Sequence, residues 1–513
     1  MPSAQRRRLT TVGLAATVTV SLLAYPAAAA PNNNSPAKLT KAVTVDGVLA
    51  HLRALQSIAT ANGGTRASGT EGYDASVDYV AGKLEAAGYD VTIQPFQFPF
   101  FRELGTPSFT QVSPTPTTYT PATDFATMTF SGSGDLTAPT QAVDVMIPPG
   151  ATANTSTSGC EDSDFAGFVA GRIALLQRGT CTFGAKALNA QEAGAAGVII
   201  FNEGQAGRTA ALAGTLGGLG ITIPVVGVSF AVGVDLASPA GTVVRLAVRT
   251  ESETRTTYNV LAQTQDGRTD NVVMAGAHLD SVVPGPGIND NGSGSAALLE
   301  VALQMAKVKP NNAVRFAWWG AEELGLLGST HYVNSLSQAE RDDIALYLNF
   351  DMVGSPNYFI GIYDGDNSDN VGAGAGPAGS AQIEDVFEAY FDARGLPHEG
   401  TDFSGRSDYG PFIAQGIPAG GLFTGAEDIK TPAQQARYGG TAGAPFDACY
   451  HQACDTIANV NTTALDWNSD AIAYAVITFA FDTSAVNGLR SPGKSHGSGK
   501  SEDAQDKHAP VAA

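Results

Sequence analysis

NVVMAGAHLD (Asn271–Asp280) is an apolar run that breaks into His278 and Asp280 at its far end. Two later runs repeat the pattern. AVRFAWWGAEE (Ala313–Glu323) ends in Glu322 and Glu323, and IALYLNFD (Ile344–Asp351) ends in Asp351. A fourth apolar run is AGGLFTG (Ala419–Gly425). Short continuous apolar runs, bounded by turns, read as strands buried on both faces. Helical patterns near 293–307, 324–334 and 380–394 alternate with them. This order predicts an α/β fold with a mixed, largely parallel central sheet flanked by helices. In open α/β sheets function collects at the carboxyl ends of strands, and His278, Glu322, Glu323 and Asp351 all fall there.

Two further candidates lie between and beyond these runs. Asp290 belongs to INDNGSG (Ile288–Gly294), a Gly-rich turn before a helix, and His451 belongs to CYHQACD (Cys449–Asp455). Imidazole and carboxylate are ordinary Zn²⁺ ligands. Five ligands exceed the needs of one tetrahedral ion, so two ions sharing a bridging carboxylate is the natural count. Asp280, two residues after His278, suits a partner that fixes the imidazole tautomer. Of Glu322 and Glu323, one can bind metal while the other acts as general base, and spacing alone does not say which. Each residue also has an ordinary explanation. Asp290 could cap its helix, the glutamate pair could form an acidic first helical turn, and His278, Asp351 and His451 could be turn or loop residues. A joint metal site replaces five coincidences with one cause.

The 513 residues leave room for two or three domains, and 43% apolar with 15% charged residues marks a globular chain. A formal charge of −20 argues against nucleic acid or anionic membrane as partner. Residues 1–29 read as a signal peptide: Arg6, Arg7 and Arg8 precede the apolar run Leu9–Tyr25, and Ala27 and Ala29 give a small-x-small cleavage pattern. A secreted protein follows, with no membrane association once the signal is removed; the export route, general or twin-arginine, stays open. Residues 30–44 read as a flexible leader. Residues 45–105 form the first part of the main domain, two helices followed by the alternating strand YDVTIQPFQF (Tyr89–Phe98). Residues 106–253 read as an inserted, small β-rich α/β module, with strand-like runs GRIALLQ, AGVIIFN and IPVVGVSF. The main domain resumes over 254–485, and the polar tail 486–513 is expected to be disordered. Four cysteines in an exported chain suggest two disulfides. Three pairings are formally available, and proximity favours Cys160 with Cys181 and Cys449 with Cys454.

AGAHLDSV, GINDNGSGSAALLE, FAWWGAEELGLLGS, YLNFDMVGSP, GRSDYGPF and CYHQACDT resemble the secreted di-zinc aminopeptidases of streptomycetes. These belong to a wider zinc aminopeptidase family that shares a fold with carboxypeptidases. The resemblance covers about 45–105 and 254–485. It implies two Zn²⁺ per chain, His278 and Asp351 on one, Glu323 and His451 on the other, with Asp290 bridging. It further implies Glu322 as general base, Tyr450 as hydrogen-bond donor to the oxyanion, Arg406 lining the substrate site, and a Cys449–Cys454 disulfide bracing the loop that presents Tyr450 and His451. The segment Cys160–Gly204 is similar to protease-associated domains, which are non-catalytic inserts. The implied substrates are peptide or protein N-termini, with large hydrophobic residues such as Leu preferred, and a monomer is favoured. Some streptomycete relatives also bind Ca²⁺. Asp466 and Asp470 keep that spacing, but Ala42 stands where the N-terminal acid aligns, which leaves calcium in doubt. Two other readings share the fold: a carboxypeptidase or dipeptidase, which needs a cationic pocket, and a receptor-like binding protein without catalysis.

Overall fold

Apolar runs and caps fold where the residues dictate, in a computed structural model that describes residues 32–372 and 374–488. The expected signal peptide, residues 1–29, and residues 489–513 of the expected tail lie outside the described residues. The chain opens with helices α1 (Pro36–Ala42), α2 (Val45–Ala61) and α3 (Glu71–Ala86), then the long strand β1 (Asp90–Glu103). The Thr44 and Thr70 side chains cap α2 and α3 by accepting backbone N–H groups of Gly47 and Tyr73. One expectation is corrected here. Residues 36–42, assigned to a flexible leader over 30–44, form α1, because Pro36 suits a first helical turn and Leu39 is fully buried.

A second sheet then interrupts the first. Its strands are β2 (Ser108–Ser113), β3 (Thr117–Thr118), β4 (Phe125–Thr127), β5 (Gly134–Ala142), β6 (Ile173–Gln177), β7 (Gly197–Phe201), β8 (Val225–Val228) and β9 (Val243–Val248), with α4 (Phe183–Glu192) and α5 (Phe230–Ala237) between them. The order is β3-β2-β9-β5-β6-β7-β8-β4, with β5 to β8 parallel. Every residue of β6, β7 and β8 is buried, the expected state of central parallel strands. The Cys160–Cys181 disulfide ties this module together. Strand β10 (Thr250–Gln263) leads back by pairing antiparallel with the whole of β1, from Asp90↔Gln263 to Glu103↔Thr250.

The main sheet is completed by β11 (Arg268–His278), β12 (Asn312–Trp319), β13 (Ile344–Phe350), β14 (Gly361–Tyr363), β15 (Glu399–Thr401) and β16 (Ala419–Phe423). Its order is β1-β10-β12-β11-β13-β16-β14-β15, with β12, β11, β13 and β16 parallel and the flanks mixed. The intervening helices are α6 (Gly292–Met305), α7 (Leu327–Ser335), α8 (Gln338–Asp342), α9 (Ser380–Asp392), α10 (Gly410–Ala414), α11 (Pro432–Tyr438), α12 (Thr462–Phe481) and α13 (Ser484–Asn487). One face of the sheet packs on α2, α3, α6, α9 and α12 through Val273, Phe316, Leu346, Leu298 and Ile472. The other packs on α7 and α10 through Met274, Trp319, Tyr347 and Phe412. No helix among the described residues is long and apolar enough to cross a membrane.

Candidate metal centre

Parallel strands β11, β12 and β13 end side by side, so His278, the turn after Trp319 and Asp351 reach one edge of the sheet together. The His278 ring is buried, with Nε2 3.3 Å from Asp290 Oδ1, 3.4 Å from Asp351 Oδ1 and 3.8 Å from Glu322 Oε2. His451 approaches from the far end of the chain, its Nε2 3.2 Å from Asp290 Oδ2 and 2.9 Å from Glu323 Oε2. The two oxygens of Asp290 therefore face two different imidazoles. The Asp290 carboxylate thus lies between the His278 and His451 rings.

Two of the ordinary explanations fail on local geometry. Asn291, not Asp290, caps α6, its side chain accepting the Gly294 N–H. The glutamate pair is no helical first turn, since α7 begins at Leu327 and Ala321 and Leu326 both have left-handed backbone. Gly294 permits a close approach: a Cβ there would lie 2.3 Å from the Phe350 carbonyl, so a side chain would push α6 off the end of β13.

Neighbouring groups hold these side chains in place. Asp280 lies beside Nδ1 of the His278 ring. Its backbone carbonyl is 3.1 Å from His278 Nδ1, whereas its carboxylate is 3.6 Å away and accepts the Glu322 N–H at 3.2 Å. It thus orients the ring from its backbone and the Glu322 turn from its side chain. Asp455, unassigned from sequence, accepts the Asn289 and Asp290 N–H groups with its two oxygens, at 2.8 and 3.0 Å. The Asp290–Asn291 peptide is cis. A buried chain of donors ends on Asp351: Trp319 Nε1 donates to Tyr347 Oη, Tyr347 to Asn349 Oδ1, Asn349 Nδ2 to Ser407 Oγ, and Ser407 to Asp351 Oδ2 at 2.6 Å. Nothing in the sequence pattern signalled Asn349 or Ser407, because neutral polar residues in apolar surroundings carry no motif. Buried Arg66 donates to the carbonyls of Leu279, Pro286 and Gly287 and fixes the segment leading to Asp290.

Tyr450 and His451 come from the Cys449–Cys454 loop, which closes by a disulfide as expected. His451 has left-handed backbone at φ 58°, uncommon for a side-chain-bearing residue, and Tyr450 stacks on it with ring centroids 3.8 Å apart. Arg406 lines the adjoining cavity of about 160 Å³ but is largely exposed and pairs with Glu427 at 3.2 Å. Asp402, Glu427 and Asp428 line the same cavity, as do Met352, Phe423 and Ala426.

The charge balance calls for cations. Burial pushes the Glu322 carboxyl well up, with Asp408 and Asp351 adding to it, and burial raises Glu323 to about 8. Burial opposes charging of both rings, yet the carboxylates outweigh it: Glu322 and Asp351 carry His278 well above its ordinary value, and Asp290 and Glu323 raise His451 to about 10. Four buried acids crowd two imidazoles, and such a concentration is costly without a compensating ion. Glu323 Oε1 and Asp351 Oδ1 are buried with no hydrogen-bond partner. His278–Asp290–Glu323 and His278–Glu322–Asp351 each bring three ligand atoms within 4.8 Å of one another. Orphaned oxygens and converging N/O donors fit divalent metal. Asp466 and Asp470 join no such three-residue cluster among the described residues.

The profile of peptidase family M28 matches residues 259–476 and that of the PA domain matches 141–236. The chain is 50% identical over 456 residues to an aminopeptidase of Pseudomonas aeruginosa, covering 88% of this chain and 84% of that one. It is 51% identical over 328 residues to leucine aminopeptidase 2 of Trichophyton rubrum, covering 63% and 65%. Among solved structures, an aminopeptidase from Aneurinibacillus sp. strain AM-1 superimposes with TM-score 0.62 at 27% identity, covering 86% of this chain and 95% of that one. A zinc aminopeptidase from Bacillus subtilis gives 0.59 at 25%, covering 85% and 95%.

Proposed function

This chain belongs to peptidase family M28, with an inserted PA domain, and is a metallo-exopeptidase of the aminopeptidase class; from that premise we propose that it is a secreted di-zinc enzyme preferring large hydrophobic N-terminal residues such as Leu. His278 and Asp351 would hold one zinc, Glu323 and His451 the other, with Asp290 between them. Bound zinc would supply an acidified water and polarise the substrate carbonyl. The observation that carries the reading is the double-faced Asp290, 3.3 Å from His278 and 3.2 Å from His451.

The protein side chains then divide the work. Glu322, held among carboxylates in a buried turn, takes the proton of the attacking water and returns it to the leaving amine. Burial, with Asp408 and Asp351 nearby, raises its proton affinity above that of an ordinary carboxylate. The Tyr450 hydroxyl donates to the oxygen on which negative charge develops. Burial, with Asp290 and Glu323 nearby, drives the Tyr450 pKa upward and keeps that proton on the ring. Asp351 and the acidic wall of Asp402, Glu427 and Asp428 favour an α-ammonium group. Met352, Phe423 and Ala426 give the first side chain an apolar wall.

The same wall weighs against the carboxypeptidase reading, because Arg406 is already paired with Glu427. The resident disulfides and the residue 1–29 signal support export. The test is release of p-nitroaniline from Leu-p-nitroanilide with and without a chelator. Chelator-sensitive release is expected; release indifferent to chelation contradicts a metal-dependent aminopeptidase.

A further inference from the structure

A second cavity, of about 470 Å³, opens between the stem of the insert and the loop after β11. Phe100 and Phe101 of β1 form one side, and Val282, Val283 and Leu324 form the other. Glu323 lies in the wall of this cavity and in the wall of the catalytic cavity. The two cavities therefore adjoin at a single side chain.

We propose that this cleft is the subsite for the residues on the leaving side of the scissile bond, and that it selects peptides with an apolar second residue. The inference rests on the aminopeptidase reading of the centre. A substrate held by its α-ammonium near Asp351 must run past the Asp290 bridge toward Glu323. Asp351 lines the catalytic cavity and not the cleft, whereas Glu323 lines both, so the chain direction points into the cleft. An extended residue advances about 3.5 Å, which places the next side chains beyond Glu323. Val283 and Leu324 are 38% and 41% exposed, an apolar surface facing solvent that a substrate side chain would cover.

Charge agrees with this assignment. Arg102 is the cation among the lining residues, and its guanidinium is already bonded to Glu251 at 2.5 Å. Glu103 and Glu323 are acidic. The cleft accordingly favours an apolar side chain over an acidic one.

Initial hydrolysis of leucinamide, Leu-Gly-amide and Leu-Leu-amide, followed by substrate loss, tests the proposal with the full enzyme and Val283→Asp. The wild type is expected to cleave Leu-Leu-amide about tenfold better than Leu-Gly-amide in kcat/KM, the worth of one apolar side chain in a pocket. Val283→Asp should abolish that preference and leave leucinamide hydrolysis unchanged, and Val283→Leu should keep it. Equal cleavage of the two dipeptide amides by the wild type, or an undiminished preference in Val283→Asp, overturns the cleft assignment. Failure of the wild type to hydrolyse any of the three overturns the aminopeptidase reading and the cleft with it.

Discussion

At the scale of single residues, the proposed centre divides into groups that would hold metal, one that would move protons and several that aim the others. Replacing Glu322 by Gln keeps its shape but removes its basicity. We expect full zinc content and a kcat about a thousandfold lower; metal analysis beside initial rates checks both. Loss of zinc in that variant would mean that Glu322 and Glu323 exchange roles. Ser407→Ala removes the final donor to Asp351 Oδ2 while leaving all metal ligands in place. Outer partners of this kind are worth about 10–100-fold in metal affinity or activity, so weaker zinc retention under chelator competition is expected. Unchanged retention would show that the Trp319–Tyr347–Asn349–Ser407 chain is only packing. His278 and Asp351 were legible in sequence because an apolar run breaking into a ligand is conspicuous. Ser407 and Asn349 were not, since their role depends on neighbours that only the folded sheet supplies.

At the scale of elements, parallel strands deliver His278 and Asp351 to one edge of the sheet, and loops bring Asp290 and His451 beside them. The strand ends at His278 and Asp351 could be read from apolar patterning, and helix α6 was expected at 293–307 against the observed Gly292–Met305. Helix α7 was expected to begin at 324, and its later start at Leu327 comes from the left-handed turn that presents the glutamates. Strands β14 and β15, three residues each, are too short to show a period. Helix α1 escaped for another reason: a single buried Leu39 holds it by tertiary contact, and seven residues carry little amphipathic signal. The two disulfides should separate stability from activity. Loop-closure entropy gives about 3 kcal/mol for Cys160–Cys181 and about 2 kcal/mol for Cys449–Cys454. Replacing the first pair by Ser should lower the melting temperature of the insert while activity persists. Replacing the second should cost activity out of proportion to stability, because it frees the loop carrying Tyr450 and His451. Equal activity losses in both variants would contradict this division.

For the molecule as a whole, a main domain split by an insert places one catalytic centre beside one cleft, and the centre's charge couples to stability. In metal-free protein, Glu323 binds its proton more tightly folded than unfolded, from an ordinary 4.5 up to about 8, and His451 does so from 6.5 up to about 10. Stability contributed by the His451 proton is full below 6.5 and is lost as pH rises through about 10, and the burden of ionising Glu323 grows from 4.5 to about 8. Thermal melts of stripped protein should therefore fall between pH 6 and pH 9, and saturating zinc should remove the decline; a metal-free melting temperature that rises over that window contradicts it. The convergence of His278, Asp290, Glu323, Asp351 and His451 could be anticipated from the motifs, whereas the cleft could not, because it joins β1 to a loop nearly two hundred residues away in sequence. The central claim is a paired zinc site bridged by Asp290. Stripped enzyme titrated with zinc, following bound metal and Leu-p-nitroanilide hydrolysis together, tests it most directly. Two zinc ions per chain, with activity restored as the sites fill and both lost in Asp290→Ala, is the predicted result. Full activity at a single zinc per chain, or binding of two that survives Asp290→Ala unchanged, would contradict it.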